Sequence, residues 1–248
     1  MTKHQLTRKV SGILPIFWIL LLLLSSTGCS DSTESSKPKL IDRNDLRYEM
    51  NSEAATVEIT DYTGKHREII IPSEVNDFIV TGIGEMAFNN KRLKHVTIPN
   101  TVKYIKGVED ISSNINNQRG AFAHNNLESI TIPNSVEFIG AGAFRHNHIK
   151  SLSIPESVTT IEKYAFASNL IETIVIPDHI TSIGHTAFRD NRIDTITIGD
   201  GVDVDPTAFN TSWSTQHPGA DTNFTVIYDM QGGLFKRPSY TLNVWTRM

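Results

Sequence analysis

Cys29 is the only cysteine in this chain of 248 residues, and a lone thiol excludes several chemistries at once. It cannot close an internal disulfide, and it cannot build a zinc site of the Cys₂ or Cys₄ kind. What remains open to it is covalent modification. The other groups worth weighing are imidazoles and charges. His124 and His146 stand 22 residues apart, with His148 close by, and they meet only if the fold repeats with that period. Two imidazoles begin a divalent-metal site, but no third ligand accompanies them, so they are weak metal candidates and no metal is expected. The chain contains no Gly-x-Ser-x-Gly, no His-Glu-x-x-His and no Walker loop. Gly140-Ala-Gly142 lacks the third glycine of a dinucleotide fingerprint. No catalytic residue and no bound cofactor is expected.

The residues ahead of Cys29 read as an address. The start, Met1 to Lys9, is basic and free of Asp and Glu, and twelve apolar residues follow from Ile13 to Leu24. As a helix that run covers about 18 Å, well short of the ~30 Å hydrocarbon core, which marks the apolar part of a secretory signal rather than a span. Ser25-Ser26-Thr27-Gly28 then leads into Cys29. This arrangement resembles the lipobox of bacterial lipoproteins. Gly28 matches the small residue wanted before the cysteine, while Ser26 departs from the leucine usual three places before it. The resemblance implies a diacylglyceryl thioether on Cys29, cleavage before it, and acylation of the new N-terminus. Two or three acyl chains, at ~0.8 kcal/mol per buried CH₂, hold a protein on a membrane where one does not. The alternatives are an ordinary cleaved signal or an uncleaved anchor, with an incidental cysteine.

Charge supports a body held off the bilayer. The whole chain carries 23 basic and 27 acidic groups, a formal net of −4, with a pI near 6.1. That excludes nucleic-acid binding driven by bulk positive charge. Loss of residues 1–28 removes Lys3, Arg8 and Lys9 and no acid, which leaves −7. Such a body docks poorly on an anionic surface. Residues 29–48 open with small polar residues and no apolar face, and are expected to form a flexible tether.

What positions the remaining groups is a repeat. Ala-Phe recurs with its phenylalanine at Phe88, Phe122, Phe144, Phe166, Phe188 and Phe209, spaced 34, 22, 22, 22 and 21 residues. The first interval is 22 plus a 12-residue insertion within residues 106–118. Pro133, Pro155 and Pro177 keep the same beat. Each unit contains Leu/Ile-x-x-Leu/Ile-x-Ile-Pro, expected as a short strand with Ile130 and Ile132 on one side and Thr131 on the other. Ile-Gly-x-x-Ala-Phe is expected to be the return, with room for a short helical turn. One unit cannot bury its own apolar face, whereas stacked units share a core. The first unit carries a five-residue extension near residues 76–80.

Residues 57–210 resemble the BspA-like leucine-rich repeats of bacterial and protozoan surface proteins. The resemblance rests on Ala-Phe, Asn, Leu, Ile-x-Ile-Pro and Ile-Gly recurring in register. It implies a mainly β leucine-rich-repeat solenoid of about six turns with short helical turns and a cap at each end. The expected organisation is a signal at 1–28, a tether at 29–48, an N-terminal cap and first strand unit at 49–82, repeats at 83–210 and a C-terminal cap at 211–248. Trp213, Phe224, Tyr228, Phe235, Tyr240 and Trp245 crowd into that last segment. The implied function is a non-enzymatic recognition or adhesion module, lipid-anchored and extracytoplasmic in a bacterial envelope, on the outer membrane if there is one. The alternative is a structural envelope protein that binds itself or envelope polymers. Expected partners are the membrane, through the lipid, and a protein or carbohydrate ligand, with no nucleic acid.

Equivalent positions form columns. The Phe column is expected in the core. Asn125, Asn147, Asn169 and Asn191 are expected inside as well, where an amide can satisfy turn groups from rung to rung; Lys91 breaks that column. On the strand face the column Lys94, Glu128, Lys150, Glu172, Asp194 mixes signs, and its first four members alternate. With His95 these residues are the candidate interaction surface. Its neighbours are short Ser and Thr side chains, without the Trp, Tyr or Arg anchors of a tight protein interface.

Overall fold

The computed structural model describes residues 37–107 and 120–210, together with two short strands near the C-terminus. The chain divides after residue 35, and the unit described below is residues 36–248. The expected signal, Cys29, the insertion beyond Gly107 and most of the C-terminal aromatic cluster lie outside the described residues.

Each repeat follows one local logic. Proline ends the Ile-x-Ile run because it brings no N–H to a ladder. Its carbonyl then accepts the N–H of the residue three places on, as in Pro99 to Val102, Pro133 to Val136, Pro155 to Val158 and Pro177 to Ile180. The chain turns there and delivers a buried Val or Ile to the core. The second reversal surrounds Ala-Phe and is a tight turn rather than a helix. The residue two places after Phe is left-handed in five successive units, at Asn90, His124, His146, Ser168 and Asp190. Asn, Asp and His tolerate that conformation better than most side chains. Two places before Phe the same conformation recurs at Met86, Gly142, Tyr164 and Thr186. The expected short helical turns are therefore turns, and the described helix is a single 3₁₀ turn, Arg43–Asp45, capped by Asp42.

Two strand systems result. On the Ile-Gly side, β3 (Thr56–Tyr62), β6 (Phe78–Ile83), β8 (Tyr104–Ile105), β9 (Phe138–Ile139), β10 (Thr160–Ile161), β12 (Ser182–Ile183) and β14 (Asp203–Val204) form one unbroken parallel ladder. It crosses the insertion without a slip, pairing Tyr104 with Phe138 and Ile105 with Ile139. On the proline side, β4 (Glu68–Ile70) pairs with β7 (His95–Thr97), and β11 (Thr173–Ile176) pairs with β13 (Thr195–Ile198). The rungs between them, 127–133 and 149–155, do not join either ladder. This differs from the expectation that every Ile-x-Ile-Pro run is a strand and every Ile-Gly run a mere return. The side-chain alternation holds all the same: Ile130 and Ile132 are buried and Thr131 is exposed.

The core is a file of phenylalanines. Phe88, Phe122, Phe144, Phe166, Phe188 and Phe209 stack with centroids 5.1–5.7 Å apart and interplanar angles of 3–9°. Offset stacking of this kind adds about 0.5–1.5 kcal/mol per pair beyond area burial. Tyr62 closes the N-terminal end, 5.7 Å from Phe88, and its hydroxyl bonds the backbone of His66. Burial pushes its phenol pKa up.

Beside that file runs the expected asparagine column. Asn147 donates to the carbonyls of Phe122 and Phe144 and accepts the N–H of Leu127; Asn169 and Asn191 repeat the pattern one rung on each. Asn125 accepts from both Lys91 and Leu93. Lys91, which breaks the column, reaches outward to Asp61 at 2.8 Å.

Caps flank the repeats. β1 (Lys39–Leu40) pairs with β4, and β2 (Leu46–Asn51) forms an antiparallel hairpin with β3, so folded structure begins inside the stretch read as tether up to residue 48. The extension near residues 76–80 is a hairpin between β5 (Glu74–Val75) and β6. Its two-residue loop, Asn76-Asp77, has positive φ at both positions, which matches the right-handed strand twist. At the other end β15 (Gly233–Lys236) pairs antiparallel with β13, and β16 (Thr246–Arg247) with β15.

Candidate functional site

The strand-face column lands on the solvent side of the proline face. Lys94, His95, Glu128, Lys150 and Glu172 are exposed and Asp194 is half-buried. Lys150 and Glu128 form an ion pair at 3.0 Å, and this contact holds the Glu128 carboxyl below its usual pKa. Asp194 instead accepts the hydroxyl of its neighbour Thr195 at 2.8 Å. The surroundings are mainly short Ser and Thr side chains.

His124 and His146 do meet. Their rings stack with centroids 4.5 Å apart at 29°. In that arrangement the in-plane lone pairs run side by side rather than converge on one ion ~2.0 Å away. Burial, then the Arg145 guanidinium, and then His124 push the His146 pKa down to about 4; burial and Arg145 lower that of His124 as well. Arg145 itself lies 4.9 Å over the Tyr164 ring, and Tyr164 meets His185 edge-on. Among the described residues no group of three or more His, Cys, Asp or Glu side chains gathers to hold a metal.

The site with depth is on the opposite side, on the outward face of the continuous ladder. Residues just before the buried Ile or Val of each rung point outward by alternation, and along the rungs they are Gly82, Tyr104, Phe138, Thr160, Ser182 and Asp203. Tyr104 leans over Gly82, where any Cβ would land on its ring. Glu58 and Thr81 bond its hydroxyl, and burial and then the Glu58 carboxylate raise its pKa. Lys106 sits 5.6 Å over the same ring and pairs with Glu58 at 2.8 Å, which raises the lysine pKa. Tyr104 is thus drawn back toward the preceding rung, away from Phe138. Phe138 remains 43% exposed.

A pocket of about 660 Å³ opens there, with Tyr104 and Lys106 on one side, Glu162 and Lys163 on another, and Gly107, Gly140 and Ala141 among its small lining residues. Its chemistry is mixed: two aromatic rings, two ammonium donors and a carboxylate acceptor. A second, more polar hollow of about 410 Å³ lies in the N-terminal cap beside Arg43, Arg47, Tyr48 and Asn76.

The pocket lies on the side opposite the column Lys94, His95, Glu128, Lys150, Glu172 and Asp194. The signal available was the column before Ile-Gly, in which two adjacent rungs carry aromatic residues on an outward position.

The repeat agrees with the family comparison. The model of the BspA type leucine rich repeat region matches residues 61–109 and 110–230, with six copies. No curated protein matches the chain significantly. Among solved structures, similarity extends to a leucine rich cell surface protein of Faecalibacterium prausnitzii A2-165 at 24% identity and TM-score 0.35, over 66% of this chain and 55% of that one. It extends also to the leucine rich repeat protein of T. pallidum, at 18% identity and TM-score 0.32, over 62% of this chain and 90% of that one. A leucine-rich repeat protein of Bacteroides ovatus ATCC 8483 aligns at 18% identity and TM-score 0.23, over 69% of this chain and 67% of that one. This chain therefore spans little more than half of the F. prausnitzii protein. With a family match across most of its length, an unbroken ladder of repeat rungs and a file of stacked phenylalanines, the chain belongs to the BspA type leucine rich repeat family.

Proposed function

We propose that this chain is a lipid-anchored, extracytoplasmic recognition protein that performs no chemistry of its own. It is held on the envelope through acylated Cys29 and meets its partner through the pocket at Tyr104 and Phe138. One observation carries the reading: a half-exposed phenylalanine stands beside a tied-back tyrosine in a pocket built on a saturated backbone ladder. An exposed aromatic ring in a walled hollow is where binding energy concentrates, because it brings large area at little loss of side-chain freedom. The anchor rests on the basic start, the short apolar run and Gly28-Cys29.

Two measurements test the two halves. Metabolic labelling with a palmitate analogue should mark the wild type and leave Cys29→Ser unmarked; label on both proteins removes the anchor. Capture from envelope and host extracts should recover a partner with the wild type and lose it with Phe138→Ala. Recovery of nothing but further copies of this chain would favour the structural envelope role instead.

A further inference from the structure

Resting on that recognition reading, we infer that the pocket between Tyr104 and Phe138 takes a neutral pyranose saccharide. Three features of the pocket select this class of ligand. The first is charge balance. Lys106 is neutralised by Glu58 at 2.8 Å, and the remaining lining charges, Lys163 and Glu162, are one of each sign. On the same two rungs Lys103 and Glu137 close a further pair at 2.9 Å. Among the described lining residues the charges balance, which favours a neutral ligand over a phosphate, a uronate or a cationic peptide.

The second feature is the state of the backbone. A peptide laid against a sheet gains most of its affinity from unpaired main-chain groups at an edge. Here the rungs on both sides are already paired: β8 with β6 and β9, and β9 with β8 and β10. Neither β8 nor β9 offers an open edge, so a peptide could not join the sheet as a further strand between them.

The third feature is the pairing of ring and polar groups. The exposed face of Phe138 carries the negative side of a ring quadrupole, which attracts the polarised C–H groups of a pyranose face. Lys163 and Glu162 line the same pocket, and an ammonium donor with a carboxylate acceptor is the pair of groups a hydroxyl can use. A volume of about 660 Å³ has room for more than one sugar ring.

The probes are maltotriose, cellotriose and triacetylchitotriose, titrated against the detergent-solubilised full chain and read by ligand-detected saturation-transfer NMR and calorimetry. At least one should bind in the millimolar range or tighter. Phe138→Leu, which keeps apolar bulk and removes the ring, should weaken it about tenfold. Lys163→Ala should weaken it by a smaller factor, and Val175→Ala on the opposite face should leave it unchanged. Unaltered melting temperatures would show that the variants fold. Failure of all three trisaccharides, binding insensitive to Phe138→Leu, or tighter binding of trigalacturonate than of every neutral probe would overturn the assignment. If the sugars fail while Phe138→Ala still abolishes partner capture, the ligand class falls and the recognition reading stands. If capture is also unaffected, both fall.

Discussion

The two sides of the same repeat are held together differently. On the Ile-Gly side the parallel ladder passes through every described rung from β3 to β14. On the proline side, rungs 127–133 and 149–155 are tied to their neighbours mainly where each begins: His148 N–H to Leu127 O, Lys150 N–H to Glu128 O and Leu170 N–H to Ile149 O. Side-chain composition follows the break in part. Of the laddered proline-side rungs, β11 and β13 carry Thr173 with Val175 and Thr195 with Thr197 at their outward positions, and β4 and β7 carry Glu68 with Ile70 and His95 with Thr97, whereas the open rungs carry Ser129 with Thr131, and Ser151 with Ser153. β-Branched residues fit the pleated surface and serine does not. The comparison teaches where a binding site can be stiff. The saturated ladder fixes the backbone under Tyr104 and Phe138, while the open side depends on side chains for its order.

Breaking what both sides share should cost most. Phe144 packs between Phe122 and Phe166 in the middle of the file, and Phe144→Ala should lower stability by about 3–5 kcal/mol in chemical denaturation. A finer comparison uses the asparagines. Asn147 accepts the N–H of Leu127 at the head of an open rung, whereas Asn191 accepts that of Ile171 at the head of a rung that continues into β11. Each Asn→Ala leaves buried backbone groups unpaired, at about 1–3 kcal/mol for each such group. Asn147→Ala should be the more damaging of the two, since less else holds its rung. Equal losses would show that the missing ladder has no energetic meaning.

Acid should act on the turns that join the two sides. His146 titrates near 4 in the folded protein and near 6.5 when unfolded, so the unfolded chain binds the extra proton between those values. Stability should be full above about pH 6.5, fall as the pH drops toward 4, and flatten below it. His146→Asn, which keeps a residue tolerant of positive φ, should reduce that slope in melting curves recorded against pH. The smallest effect tests composition directly. Ser151→Thr with Ser153→Val should raise stability by a few tenths of a kcal/mol, and should slow amide exchange in rung 149–155 if β-branching closes the ladder.

How much of this was legible follows from what repeats. Phe144 and Asn147 recur in register with their neighbours every 22 residues, and a position that recurs with one residue type is a position that stacks. The core and its amide column were therefore readable. Tyr104 and Phe138 were overlooked because their column, running from Gly82 to Asp203, holds a different residue in every unit. The alternation that turns them outward was in the sequence, but the tilt of Tyr104 toward Glu58 that opens the pocket depends on a partner 46 residues away. The boundary of the tether was misplaced for a similar reason. Lys39 and Leu40 have no periodic pattern of their own, and become a strand because β4 offers them an edge.

The proposed function requires that the laddered side, and not the polar side, meet the partner. A photo-reactive benzophenone side chain placed at Phe138 or at Val175 compares the two directly, since both positions are exposed, the latter at 56%, and they lie on opposite faces. After irradiation with envelope or host material, a crosslinked partner is expected from position 138 and none from position 175. A partner captured from position 175 alone, or equally from both, would contradict it.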